Sequence, residues 1–138
     1  MSDFSLKLSD DQIGLQSWVH GFAEDVVRPA AEEWDEKEEF PYPIVQQAAE
    51  IGLYGWEFMA EMMSNDPTGL TMPVAIEELF WGDAGIGMAI MGSGLAAAGI
   101  LASGSRDQVI EWVPQCYGDA KDLKIGAFCA SEPDAGSD

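Results

Sequence analysis

The chain has 138 residues and a formal charge of −19, with 25 acidic against 6 basic side chains. Such an acidic excess excludes nucleic acid and anionic membrane surfaces as partners, because both require Lys and Arg. With 47% apolar residues the length suits one globular domain with its own core, and the acidic excess reads as a solvated surface. Cys116 and Cys129 have no metal-ligand spacing, and the single His20 offers no partner ligand, so no metal site is expected. No disulfide framework is indicated either, which points to a reducing cytoplasm. Met1-Ser2-Asp3 lacks a basic n-region, so no secretory signal is expected.

The first element is a helix. Ser9 is a good N-cap, and Gln12 three residues on completes a capping box. Asp10 and Asp11 then fall in the first turn, where the helix dipole favours negative charge. Leu15, Trp18, Val19, Phe22, Val26 and Ala30 follow at steps of three and four and form one apolar stripe. Trp18 and Phe22 are assigned to the core and His20 to the surface. Pro29 interrupts the pattern and should kink or loosen the helix. Phe40-Pro41-Tyr42-Pro43 ends this region, and a short helix runs from about Ile44 to Ile51 with Gly52 as its stop. Trp56 to Met63 reads as one or two helical turns, and Ser64 to Gly69 as a loop. The three methionines of that stretch pack in a core or form a flexible apolar surface for a partner or an acyl chain.

Leu70 to Trp81 is a further helix with Pro73 in its first turn and Val74, Ile76, Leu79 and Phe80 on its apolar side. Glu77 and Glu78 are adjacent, and adjacent helical residues point about 100° apart. They therefore cannot flank one bond and read as surface or capping charges. Ala84 to Ser105 carries no charge and is long enough to span a bilayer. It is rich in Gly and Ala and lacks basic flanks and an aromatic belt, so it reads as the buried central helix of a bundle. Ser105 caps the next helix, Arg106 to about Tyr117, with Val109, Ile110 and Val113 inward.

The chain is organised around its last stretch. Ile125 to Ser131 is short, mostly apolar and uncharged, and reads as a strand. Pro133 cannot continue a ladder, and Asp134 and Gly136 supply turn chemistry, with Gly136 able to take a positive φ. Such a loop offers backbone amides and the hydroxyls of Ser131 and Ser137 to a heterocycle edge or a phosphate. The same residues also fit a plain surface turn.

The order Ala130-Ser131-Glu132-Pro133-Asp134-Ala135-Gly136-Ser137-Asp138 closely resembles the flavin-binding signature of the acyl-CoA dehydrogenase family. Further likeness lies in Phe22-Ala23-Glu24, Pro29-Ala30, Trp34-Asp35, Phe40-Pro41, Gly52-Leu53-Tyr54-Gly55, Glu77-Glu78-Leu79 and the Gly104 to Gln108 spacing. The likeness covers nearly the whole chain and is weakest over residues 56 to 69, where that family has an extended segment and a Gly-Gly loop.

What the resemblance implies is an all-α chain. It would be the N-terminal helical bundle of the acyl-CoA dehydrogenase fold, residues 1–122, ending in the first strand and flavin-binding loop of a truncated middle β domain, residues 123–138. It implies FAD as cofactor and α,β-dehydrogenation of an acyl-CoA to the trans-2-enoyl-CoA, in fatty acid metabolism. A carboxylate would remove the α-proton while the β-hydrogen passes as hydride to flavin N5. Phe128, Ala130 and Ser131 would lie along the flavin ring, with Gly136 shaping the loop. Ser137 would sit near the FAD pyrophosphate and the acyl-CoA. The catalytic carboxylate would belong to a C-terminal helical domain, so no catalytic residue is named in this chain. Electron-transferring flavoprotein would be the electron acceptor, and the full-length protein would be a homo-oligomer without a membrane span. A related oxidase of the same fold, acting on acyl-CoA or nitroalkanes, fits the same residues. So does a cofactor-free helical module that binds a partner through residues 56 to 63. Because the chain stops inside the loop, it is expected to be the front part of a longer protein. Alone it should be inactive, loosely packed and weak in FAD binding.

Overall fold

The structure is a computed structural model and describes residues 6–64 and 66–136. Helix α1 (Asp10–Phe22) opens as the sequence requires. Ser9 Oγ accepts from the Gln12 amide at 3.2 Å, and Gln12 Oε1 accepts from the Ser9 amide at 3.0 Å. The kink expected from Pro29 takes the form of a π-helical turn, Ala23–Val27, before α2 (Arg28–Lys37). Proline has no N–H for the carbonyl four residues back and its ring crowds that carbonyl, so the preceding turn widens. Helix α3 (Tyr42–Glu50) follows, with Pro43 in its first turn, and then α4 (Trp56–Ser64) and α5 (Thr71–Gly82).

Helix α1 lies along α5, and α5 packs on the next helix, α6 (Ala84–Met91). Val19, Val27, Val45, Ala48, Leu53, Leu79, Ile86 and Ile90 form the centre of the core between them. Polar ties line the α1–α5 seam. Gln12 Nε2 donates to Thr68 Oγ1 at 2.8 Å and to Thr71 Oγ1 at 3.1 Å. Gln16 Nε2 donates to Glu78 Oε1, and His20 Nδ1 meets Glu78 Oε2, each at 2.7 Å. Glu78 is thus mostly buried and tied across the seam, which corrects its reading as a surface charge. His20 also lies 4.3 Å from the Trp81 ring, between centroids, and Arg28 sits 4.6 Å from the same ring.

Asp66 holds the start of α5. Its carboxylate accepts from Thr68 Oγ1 at 2.6 Å, from the Thr71 amide at 2.7 Å and from the Thr68 amide at 2.9 Å. The Thr68 hydroxyl first, and the Thr71 amide next, hold its carboxyl well below the usual carboxylate range. A carboxyl depressed in the folded state adds stability above its unfolded value of 3.8, and that stability is lost as pH falls below it. Acidification below about pH 4 should therefore loosen the α4–α5 loop. Asp66→Ala should remove that acid-sensitive step from thermal unfolding curves followed against pH, while Asp66→Asn should flatten the pH dependence and keep part of the capping.

Four further expectations are corrected. Trp18 is 41% exposed and rests on the Phe58 ring at 6.2 Å between centroids. At 100° per residue it stands about 60° from the middle of the stripe, at its rim. The uncharged run is two helices, α6 and α7 (Ser93–Ser103), and only 28% of its most apolar window is buried. Gly92-Ser93-Gly94 has low helix propensity, and the Leu95 amide bonds Gly92 O at 3.0 Å in a tightened turn. By length and composition alone Ala84–Ser103 could cross a membrane. Helix α8 (Arg106–Trp112) has a Ser105–Gln108 capping box and runs into a 3-10 turn, Pro114–Cys116. Val113 is buried, but Ile110 is 64% exposed, because it points about 100° from Val109.

The fourth correction concerns the strand expected over Ile125 to Ser131. The described residues contain no strand there, only isolated bridges at Gly118–Leu123 and Glu132–Ala135. A strand exists through ladder bonds to a neighbour, and no neighbouring strand is present among the described residues. The all-α class of the chain stands.

Candidate functional site

The segment after α8 crosses the helical body and then leaves it. Lys124 donates its amide to Tyr117 O at 2.9 Å, and the Gly126 amide donates to Ser93 Oγ at 3.0 Å. Gly126 lies so close to the body that a Cβ would be 3.0 Å from both Ala96 Cβ and Cys116 Cβ. Beyond it the chain opens to solvent. Phe128 is 57% exposed, with its ring near Gly99 of α7, where a Cβ would come within 3.4 Å of Phe128 Cε2. Ala130 and Ser131 are exposed.

The expected turn is present. Glu132 N donates to Ala135 O at 2.8 Å and Ala135 N to Glu132 O at 3.3 Å, so Pro133 and Asp134 are its central residues. Proline pre-sets φ for the first central position of such a turn. Gly136 follows the turn, is not among the residues of positive φ, and a Cβ there would meet nothing within 4 Å. Its expected positive φ is therefore corrected. Pro133 and Asp134 supply the reversal in its place. Ser137 lies outside the described residues.

Phe128, Ala130 and Ser131 thus share one exposed, uncharged stretch, and Gly136 stands past the turn. The groups behind them are neutral. Burial pushes Tyr117 up to about 12, with Tyr54 and Cys116 adding to the shift. Burial also raises Tyr54, against the lowering effect of its bond to Ser93, and raises the Cys116 thiol. At neutral pH these are proton donors without charge. Such a segment can hold and orient a ligand through backbone amides and one hydroxyl. Among the described residues no group of His, Cys, Asp or Glu could hold a metal ion.

An open cavity of about 860 Å³ lies elsewhere, between the start of α1, α4 and the Asp66 loop. Its floor includes Leu15, Trp18, Phe58 and Met62, and its lining includes Asp10, Asp11, Glu57, Glu61 and Asp66. That acidic lining repels the phosphates of a nucleotide or of CoA. Met62 is buried, and Trp56, Phe58 and Met59 pack on the core, so these four residues serve packing. Two contributors near the exposed stretch, Tyr54 and Ser93, have no site role in the sequence reading. Only their polar oxygens within apolar surroundings marked them.

The architecture is a helical domain with an exposed, uncharged segment on one flank. The family model for the acyl-CoA dehydrogenase N-terminal domain matches residues 9–118, and the chain belongs to the acyl-CoA dehydrogenase family. Over 134 residues, 97% of the chain, it is 31% identical to a probable medium-chain specific acyl-CoA dehydrogenase 2, mitochondrial, of Caenorhabditis briggsae. It is 30% identical over 134 residues to the mitochondrial isobutyryl-CoA dehydrogenase of Dictyostelium discoideum, again 97% of the chain. With the mitochondrial short-chain specific acyl-CoA dehydrogenase of Bos taurus it shares 32% over 136 residues, 97% of the chain. The chain spans 32% of the length of each of these relatives.

Proposed function

We propose that this chain is the N-terminal part of an FAD-dependent acyl-CoA dehydrogenase. The reaction is α,β-dehydrogenation of an acyl-CoA thioester to the trans-2-enoyl-CoA. The observation that carries the reading is the unbroken run Ala130 to Asp138, which begins on an exposed, uncharged segment fixed to a helical body of this family. In this reading residues 1–122 are the helical domain and residues 123–138 open the β domain.

The exposed stretch fits a flavin in chemistry. It has small residues, free surface and no like charge between Ile125 and Ser131. FAD, when bound, supplies two-electron acceptor chemistry. Ser131 would donate its hydroxyl to the ring edge, Phe128 and Ala130 would border the ring, and Gly136 and Ser137 would serve the phosphate side. Neutral donors held in place favour a ring that gains negative charge. No residue of this chain is assigned as the base, and the chain alone is expected to be inactive. Ser137 also contacts the acyl-CoA, electron-transferring flavoprotein takes the electrons, and the full-length protein is a homo-oligomer. Its location in this reading is the cytoplasm, in keeping with free Cys116 and Cys129. The relatives named above are mitochondrial, so fractionation decides between the two.

Ser131→Ala in the full-length protein tests the site. Because Ser131 is exposed, the melting temperature of the FAD-free protein should not change. Loss of one neutral hydrogen bond to the ring should weaken FAD by about 0.5–1.5 kcal/mol and shift its absorbance. Unchanged flavin content, spectrum and turnover would return the stretch to a plain surface turn.

A further inference from the structure

Two buried hydroxyls hold the backbone on either side of Ile125. Tyr54 is 5% exposed and Ser93 1%. Tyr54 Oη lies 2.5 Å from Lys124 O and 2.7 Å from Ser93 Oγ, and Ser93 Oγ lies 3.0 Å from the Gly126 amide. Proton counting gives this chain one direction. The Lys124 carbonyl only accepts, so the single phenol proton goes to it. Ser93 must then donate to the Tyr54 oxygen, and its own oxygen accepts from Gly126 N–H. Cys116 O, at 3.5 Å from Tyr54 Oη, is the distant alternative acceptor. Each donor is used once, and both ends are backbone groups of one segment.

These bonds stand where a neighbouring strand would otherwise bond. Tyr54 sits in the turn after α3, and Ser93 is the first residue of α7. The helical body thereby fixes Lys124 and Gly126, and the exposed stretch Phe128 to Ser131 departs from that point. A phenol is protonated at neutral pH, and burial raises Tyr54 further, so the donor persists.

From this geometry we infer that Tyr54 and Ser93 are positioning residues, which set where Phe128 to Ser131 present their amides and hydroxyl to a bound ligand. The ligand is the flavin insofar as the proposed function holds. Both residues are buried, so their role is to position the segment.

Tyr54→Phe keeps the ring and its edge contact with Tyr117, 5.4 Å between centroids, and removes only the donor. Ser93→Ala breaks the chain at its middle and serves if Tyr54→Phe fails to fold. Ile90→Val, in the core of α6, is the control for mere loss of stability. In the full-length protein carrying FAD, both hydroxyl variants should shift the flavin absorbance and reduction potential and weaken FAD about tenfold. Ile90→Val should lower the melting temperature without moving either flavin property. Amide exchange at Gly126 should quicken about tenfold in Ser93→Ala. A Gly126 amide that exchanges as in the wild type would overturn the inference. So would flavin properties that move equally in all three variants. A wild-type protein that holds no flavin would instead defeat the proposed function, and exchange at Gly126 would still decide the positioning role.

Discussion

Gly118→Ala should cost this protein about 3 kcal/mol or more and lower its melting temperature by roughly 10 °C. Gly118 has φ +65°, where an L side chain is strained. A Cβ there would stand 2.0 Å from Asp122 O and 2.9 Å from Lys124 N, both backbone atoms that cannot step aside. Asp122 ends the Asp119–Asp122 turn, closed by the Asp119 amide to Asp122 O at 3.1 Å and the Asp122 amide to Asp119 O at 3.2 Å. Asp119 also accepts from the Lys121 amide at 2.7 Å, and that bond is the main reason its carboxyl lies low. The turn delivers Lys124 to Tyr54, so the damage passes from stability to the site. Thermal unfolding followed by circular dichroism measures the loss. Gly136→Ala is the matching control and should stay within about 0.5 kcal/mol of wild type.

Gly126→Val should separate the exposed stretch from the helical body. The added Cβ would press on Ala96 Cβ and Cys116 Cβ at 3.0 Å and on Cys116 Cα at 3.3 Å. Relief requires the segment to lift from α7, which breaks the Gly126–Ser93 bond. Crowding of this kind costs about 1–3 kcal/mol. Under the proposed function, FAD retention should fall further than in Ser131→Ala, because every group of the stretch moves. Bound flavin per mole of full-length protein measures it. Retention equal to wild type would show that contact with α7 does not set the position of the stretch.

Local signals in the sequence carried far. Ser9 with Gln12, Pro29 and the Gly52 stop each act within one or two helical turns, and each appears where the residues placed it. Ser105 caps the last helix through Gln108. The misses have a common cause. Glu78 meets Gln16 and His20 from 62 and 58 residues away, so its burial depends on how α1 settles on α5. Periodicity finds the middle of an apolar face but not its edge, and Trp18 and Ile110 both lie at edges. A lack of charge from Ala84 to Ser105 does not by itself mean burial, and much of α6 and α7 lies in the open.

At the candidate site, the residue types and the turn around Pro133 and Asp134 were legible, since proline restricts its own neighbourhood. The hydroxyl pair was not, because Tyr54 and Ser93 are 39 residues apart and meet only after the helices pack. Gly126 looked like any strand glycine until its distance to Ala96 and Cys116 was known. Family membership came through from the order of residues in short runs spread along the chain, which survives where single-residue placement fails.

The most direct test of the proposed function is the flavin content of the full-length protein and its response to substrate. The purified protein should be yellow with stoichiometric FAD, and saturated acyl-CoA added without oxygen should bleach it with formation of the trans-2-enoyl-CoA. A folded, helical full-length protein that stays colourless and takes up no added FAD would contradict the reading.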